Sequence, residues 1–326
     1  MSHLPKLAIC VGAWSSPCDR FLKEGYREAI PFEKVLAQSA NIPGVKGVEL
    51  SYPGSINEDN FDRVTRLLKG YGLEVVCIAS SISSTRRWVD GSFTARDEKT
   101  RREAIENTKR TMALAGELGA LARQWFGQDG YDYHFTGDPR HAWEYLADGL
   151  RECGEAHPGV RLAIEYKSRE PKRWSYVSSA AVALLLAQET GCANIGVCLD
   201  LGHAKLAGEN YADALTLTQR YNRHFHVHLN ENYGITDDDM AVGSVHFMEL
   251  VEFIYWLKKT GYEGWFSSDV WPVTDDPLGC TMQSMGFFQD LWSMVDRIGL
   301  DVLGGCIEQR DYPQAMAAIR KELFHQ

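Results

Sequence analysis

Ile195-Gly-Val-Cys-Leu-Asp200 and His224-Phe-His-Val-His-Leu229, with a helical stretch from Tyr211 to Tyr221 between them, decide how this chain folds. The first run is short and apolar and ends in a polar residue, as a strand buried on both faces does. In the second, Val227 and Leu229 alternate with His226 and His228, so the two histidines share one strand face. Strand, helix, strand in this order is the unit of a parallel sheet covered by helices.

The unit repeats in both directions. Upstream, strands are expected at Leu7–Val11, Gly47–Leu50, Glu74–Ala79, Ala122–Phe126 and Arg161–Lys167. Helices are expected over Pro31–Gln38, from Asn60 as cap, and over Asp97–Leu118, His141–Glu155 and Ala180–Thr190. Downstream come a helix over Met248–Thr260, a strand over Gly264–Asp269 and a helix over Met282–Ile298. Eight strands alternating with eight helices close most simply into a (β/α)8 barrel. An open doubly wound sheet is the alternative, but no glycine-rich phosphate loop follows any strand. The expected organisation is one barrel domain over residues 1–303 and a helical extension over 304–326, where Met316 and Ile319 share a helix face.

Composition restricts the function. The 326 residues are 44% hydrophobic and carry a net charge of −10, which opposes a nucleic-acid partner in the absence of a local basic patch. The densest basic run, Lys99-Thr-Arg-Arg102, is interleaved with Asp97, Glu98, Glu103 and Glu106 and reads as a salt-bridged helix face. Eight scattered cysteines without a CxxC pair point to a reducing, cytoplasmic setting, and no apolar run is long enough for a membrane span.

In such a barrel the reactive side chains stand at the carboxyl ends of strands. Four successive strand ends supply Glu165, Asp200, His228 and Asp269, a hard donor set suited to Mn²⁺, Co²⁺ or Mg²⁺. His203, three residues after Asp200, and the Asp-x-Asp of Asp237 and Asp239 form a second candidate cation site; a capping histidine and a solvated loop are the plainer reading. Lys167 shares a strand face with Glu165 and is placed to polarise a substrate oxygen or manage a proton, its pKa lowered by a neighbouring cation; a salt bridge to a neighbouring carboxylate is the plainer reading. Trp14, Trp125 and Trp271 follow strand ends and serve either as sugar-stacking faces or as rim packing. The loop Gly127-Gln-Asp-Gly-Tyr-Asp-Tyr133 either shapes a pocket or packs on the surface.

Glu165-Tyr-Lys167, Asp200-Leu-Gly-His203, His228-Leu-Asn230 leading to Tyr233-Gly234, Asp237-Asp-Asp239 and Val242-Gly-Ser-Val245 are motifs that this chain shares with a known family. Over roughly its whole length it resembles the xylose-isomerase-like sugar isomerases and epimerases of TIM-barrel fold, and most closely the L-rhamnose isomerases. The Trp125, Asp129-Gly130 and Tyr133 segment resembles that family's sugar pocket. The resemblance implies a structural metal on Glu165, Asp200, His228 and Asp269 and a catalytic one on His203, Asp237 and Asp239, with Lys167 assisting. Mn²⁺ is the favoured ion, with Co²⁺, Mg²⁺ or Zn²⁺ as alternatives. It further implies an aldose–ketose isomerase that moves hydrogen between C1 and C2 of an open-chain monosaccharide, assembled as a dimer or tetramer. Ile235-Thr236 lengthens the loop before the aspartates, and the chain is shorter than such isomerases, so the substrate rim is expected to differ. A ketose 3-epimerase working through Glu165 and Asp269 is the rival, although the arginine expected six residues past the metal histidine is Gly234 here. A metal-dependent endonuclease would require a basic groove, and a sugar-binding module would not require the second cation site.

Overall fold

Apolar runs of four to eight residues form the staves of a closed barrel in the computed structural model, which describes residues 4–18 and 20–324. In chain order the elements begin with β1 (Lys6–Cys10), α1 (Phe32–Ser39), β2 (Val45–Tyr52), α2 (Phe61–Tyr71), β3 (Glu74–Ser80) and α3 (Glu98–Glu117). Next come β4 (Leu121–Trp125), β5 (Gly130–Tyr131), α4 (Pro139–Ala156), β6 (Leu162–Glu165), β7 (Arg169–Glu170), β8 (Arg173–Ser175) and α5 (Ala180–Glu189). Then follow β9 (Ile195–Asp200), α6 (Leu201–Leu206), α7 (Tyr211–Arg220), β10 (His224–Leu229), α8 (Phe247–Lys259), β11 (Trp265–Ser268) and α9 (Pro277–Ile298). Last are α10 (Leu300–Gln309) and α11 (Tyr312–Phe324).

The barrel order is β1-β11-β10-β9-β6-β4-β3-β2, and each neighbouring pair is parallel. A (β/α)8 TIM barrel is therefore the fold. Local chemistry sets the helix starts: Asp97, Asp138, Ser179, Asn210 and Asp276 each accept a backbone N–H of the first turn. With Asp276 as cap and Pro277 in the first turn, α9 begins before the expected Met282. Asn60 stands at the start of α2, but its side chain accepts from the Asn57 amide instead of capping the helix.

Two features departed from the expected alternation. A one-and-a-half-turn helix, α6, follows β9 directly, capped by Asp200, which accepts from the His203 amide at 2.8 Å. A small antiparallel sheet, β5-β8-β7, joins the loop after β4 to the loop after β6. The C-terminal helices α10 and α11 pack on the outer layer, α10 against α8 and α9 and α11 against α9. The expected division at residue 303 falls inside α10, and residues 1–3 and 325–326 lie outside those described.

The barrel interior is layered. Toward one end it holds small apolar side chains, among them Ala8, Val76, Cys77, Leu121, Ala163 and Cys198. Gly47 belongs to this crowding: a Cβ there would lie 2.4 Å from Val76 Cγ1 and 3.0 Å from Ala8 Cβ. Toward the carboxyl end the interior turns polar, with Glu49, His226, His228 and Ser267 all buried.

Candidate active site

Parallel pairing brings the strand ends together. His228 lies opposite Asp200 on β9 and opposite Ser267 on β11, and Asp269 follows β11 directly. The His228 Nδ1 is 3.2 Å from Asp269 Oδ2, 3.4 Å from Asp200 Oδ2 and 3.5 Å from Glu165 Oε1. These four residues each offer one ligand atom, all within 4.8 Å of one another. Nδ1 is buried yet has no hydrogen-bond partner. A divalent cation would take the orphaned imidazole nitrogen as a ligand and neutralise the three carboxylates that face it, so the residues fit the group.

The second expected set is more loosely gathered. His203 Nδ1 is 3.5 Å from Glu165 Oε1 and 3.7 Å from Asp200 Oδ1, and its Nε2 is 3.2 Å from Asp237 Oδ2. Lys167 Nζ is 2.7 Å from the same Asp237 oxygen and is also ion-paired with Glu170. Asp239 has φ of 45° and accepts from Asn230 Nδ2 at 3.3 Å. Asp238 faces outward and accepts from the Thr236 hydroxyl at 2.7 Å. The outer aspartates of the triplet thus line the cavity while the middle one faces solvent. Among the described residues, His203, Asp237 and Asp239 do not form a group as tight as the first four.

Charge in this corner is strongly coupled. Burial opposes ionisation of Asp237, but His203 and then Lys167 hold its carboxyl below the usual range. Burial, followed by Asp237, Asp269 and Asp200, pushes Asp239 well above that range. Burial likewise opposes the charge on Lys167, yet Asp237 and Glu170 outweigh it and raise the ammonium's pKa.

Beneath these groups lies a layer that sequence reasoning passed over. Glu49 Oε1 receives His226 Nε2 at 2.6 Å and His228 Nε2 at 3.0 Å, while Glu49 Oε2 receives Arg123 Nε at 3.3 Å. Arg123 Nη1 also donates to Glu165 Oε2. The available signal was a lone charge within each apolar strand, in Val48-Glu-Leu50 and Ala122-Arg-Gln124.

Above the carboxylates opens a cavity of about 940 Å³, lined by Glu165, Lys167, His203, Asp237, Asp239 and Asp269 together with Trp125 and Trp271. Lys167 Nζ stands 5.4 Å from the centre of the Trp125 ring, and Trp271 Nε1 donates to Asp269 Oδ1 at 2.7 Å. Trp14 is a correction: it is fully buried in a 3-10 turn and absent from the cavity wall, and its indole N–H donates to Thr281 at 3.3 Å. Of the glycine-rich loop, only Trp125 before it reaches this cavity. Asp129 is buried and accepts from Ser92 and Thr94, Tyr131 packs on Tyr176, and Tyr133 is exposed.

A family model described as "Xylose isomerase-like TIM barrel" matches residues 36–291. A xylose isomerase of Thermus caldophilus is 27% identical over 236 residues, covering 68% of this chain and 61% of that protein. The chain thus spans about three fifths of that curated relative's length. Among solved structures, a D-tagatose 3-epimerase-like protein aligns with TM-score 0.68 at 16% identity, covering 90% of this chain and 98% of the other. An L-ribulose 3-epimerase aligns with TM-score 0.65 at 18% identity, covering 94% and 98% respectively. At such identities the structural likenesses speak for the fold alone. With a family match that extends from α1 into α9, the chain belongs to the xylose isomerase-like TIM barrel family.

Proposed function

We propose that this chain is a divalent-metal-dependent aldose–ketose isomerase acting on an unphosphorylated monosaccharide, of the L-rhamnose isomerase kind. The observation that carries the reading is the position of His203: one imidazole lies 3.5 Å from Glu165 and 3.2 Å from Asp237, so the two acidic groups meet around it. Glu165, Asp200, His228 and Asp269 would hold one cation, Mn²⁺ by preference, and His203, Asp237 and Asp239 a second. A bound divalent cation supplies Lewis-acid charge that polarises the sugar oxygens.

The chain's own groups do the remainder. Lys167 Nζ, kept protonated between Asp237 and Glu170, donates to a substrate oxygen. Asp237 and Asp239 carry the hydroxyl proton between O2 and O1 as hydrogen moves between C2 and C1. Trp125 and Trp271 present apolar faces to the sugar ring carbons and limit water. Two lining bases, Arg123 and Lys167, are engaged by carboxylates, and a third, Arg169, donates to the Ile235 carbonyl and lies over the Trp174 ring, an arrangement that favours the unphosphorylated substrate. The C-terminal helices offer a contact for a homo-oligomer.

A ketose 3-epimerase is the second reading, favoured by Glu165 and Asp269, which stand 3.5 and 3.2 Å from the same His228 nitrogen in one cavity. The test is to strip the protein with chelator, restore Mn²⁺ or Co²⁺, and assay free and phosphorylated aldoses and ketoses. An isomerase interconverts aldose and ketose and loses turnover in His203→Ala. Ketose-to-ketose conversion alone, or full activity without His203, rejects the proposal.

A further inference from the structure

We propose that Glu49 and Arg123 are positioning residues that preset two cation ligands. Glu49 holds the His228 proton on Nε2, so that Nδ1 is presented to the cation, and Arg123 confines Glu165 to ligation through Oε1. This deepens the metal-dependent reading above and rests on it.

The geometry is specific. His228 Nε2 lies 3.0 Å from Glu49 Oε1, and its Nδ1 lies 3.2–3.5 Å from three carboxylate oxygens without a hydrogen bond. Were the proton on Nδ1 alone, the Nε2 lone pair would face the Glu49 carboxylate in a buried site, with the weak Cys10 thiol donor, 4.0 Å from Nε2, in place of a charge-assisted bond. Glu49 is itself held in place: His226 shares Oε1 at 2.6 Å and Arg123 Nε reaches Oε2 at 3.3 Å. Both its oxygens are engaged, and it is 2% exposed. The planar guanidinium then uses a second arm. Nη1 takes Glu165 Oε2, and Oε1 is left facing His228 Nδ1 and His203 Nδ1, each at 3.5 Å. A lysine would supply the charge but not the two-armed link between Glu49 and Glu165. Partners of this kind, one layer behind the ligands, commonly change metal affinity by about 10–100-fold when removed.

The experiment uses the full chain, stripped of metal, as wild type, Glu49→Gln and Arg123→Lys. Mn²⁺ affinity is measured by titration calorimetry, and the protonation of His228 by long-range ¹⁵N–¹H correlation in histidine-labelled, metal-free protein, assigned with His228→Asn. The expected result is a proton on His228 Nε2 in the wild type, its loss or redistribution in Glu49→Gln, and Mn²⁺ binding weakened by about 10-fold or more in both variants. An unprotonated Nε2 in the wild type, or binding within about twofold of wild type in both variants, overturns the proposal. If the wild type binds no Mn²⁺, the metal-dependent function fails, while the Nε2 measurement still decides the role of Glu49. If Glu49→Gln does not fold, the wild-type Nε2 signal and Arg123→Lys decide.

Discussion

Replacing Asp239 with asparagine should make the metal-free protein more stable while reducing its response to a cation. The Asp239 carboxyl is pushed well above the usual range by burial and by Asp237, Asp269 and Asp200. A group whose folded-state pKa is raised above its unfolded value weakens the fold as pH rises past the unfolded value, about 3.9 for aspartate. At neutral pH the wild type therefore carries a cost that the neutral amide lacks, on the order of 1–3 kcal/mol for a buried, poorly satisfied charge. Unfolding entropy near 2.1 cal/mol/K per residue gives about 0.7 kcal/mol/K for 326 residues, so about 2 kcal/mol moves Tm by about 3 °C. Asparagine is the right probe because φ is 45° here, a conformation it tolerates and alanine does not favour. A cation at 100 times its Kd adds about 2.7 kcal/mol to the wild type and less to the variant, so the gap between the two proteins closes. Calorimetric Tm values in chelator and then in Mn²⁺, between pH 5 and 8, should show the gap in chelator narrowing toward acid. A variant less stable than wild type in chelator, or one gaining as much from Mn²⁺, refutes this account of the acidic corner.

Three further outcomes can be checked on simpler grounds. Trp14→Phe should cost about 2–3 kcal/mol in urea denaturation, from a lost indole hydrogen bond and a core gap, and leave the sugar KM unchanged, whereas Trp125→Phe should raise KM. Gly47→Ala should cost about 1–3 kcal/mol because its Cβ meets Val76 Cγ1 at 2.4 Å, whereas Gly70→Ala, in open space on α2, should be neutral or stabilising by up to about 1 kcal/mol. His224 is held down to about 3 by burial and then by His226, so the unfolded chain binds more protons than the folded one below pH 6.5. Stability should accordingly fall by about 2 kcal/mol between pH 6.5 and 5, and His224→Gln should flatten that part of the profile.

The strand β9 coincides with the run read from the sequence because a strand buried on both faces can use little but apolar residues, and its polar end then stands out, while β10 was legible from the alternation of its histidines with Val227 and Leu229. For the same reason Glu165, Asp200, His228 and Asp269 were legible together: strict alternation fixes which residues share the barrel mouth. Helix α6 was hidden because Asp200 acts both as its cap and as a strand-end carboxylate, and six residues carry too little periodicity to announce a helix. The sheet β5-β8-β7 consists of strands of two or three residues, shorter than any alternation pattern. Trp14 shows what position alone cannot give, since the turn after β1 folds it inward toward Thr281. Glu49 and Arg123 were read merely as members of strands, because the pairing that gives them meaning spans 74 residues of sequence.

Trp271 ties two segments that loop exchange would otherwise treat as separate. Its amide donates to the Asp239 carbonyl at 2.9 Å, and its indole donates to the Asp269 side chain. Any redesign of specificity that swaps the segment between β10 and α8 must therefore transplant the end of β11 with it, so the two stretches behave as one exchangeable cassette.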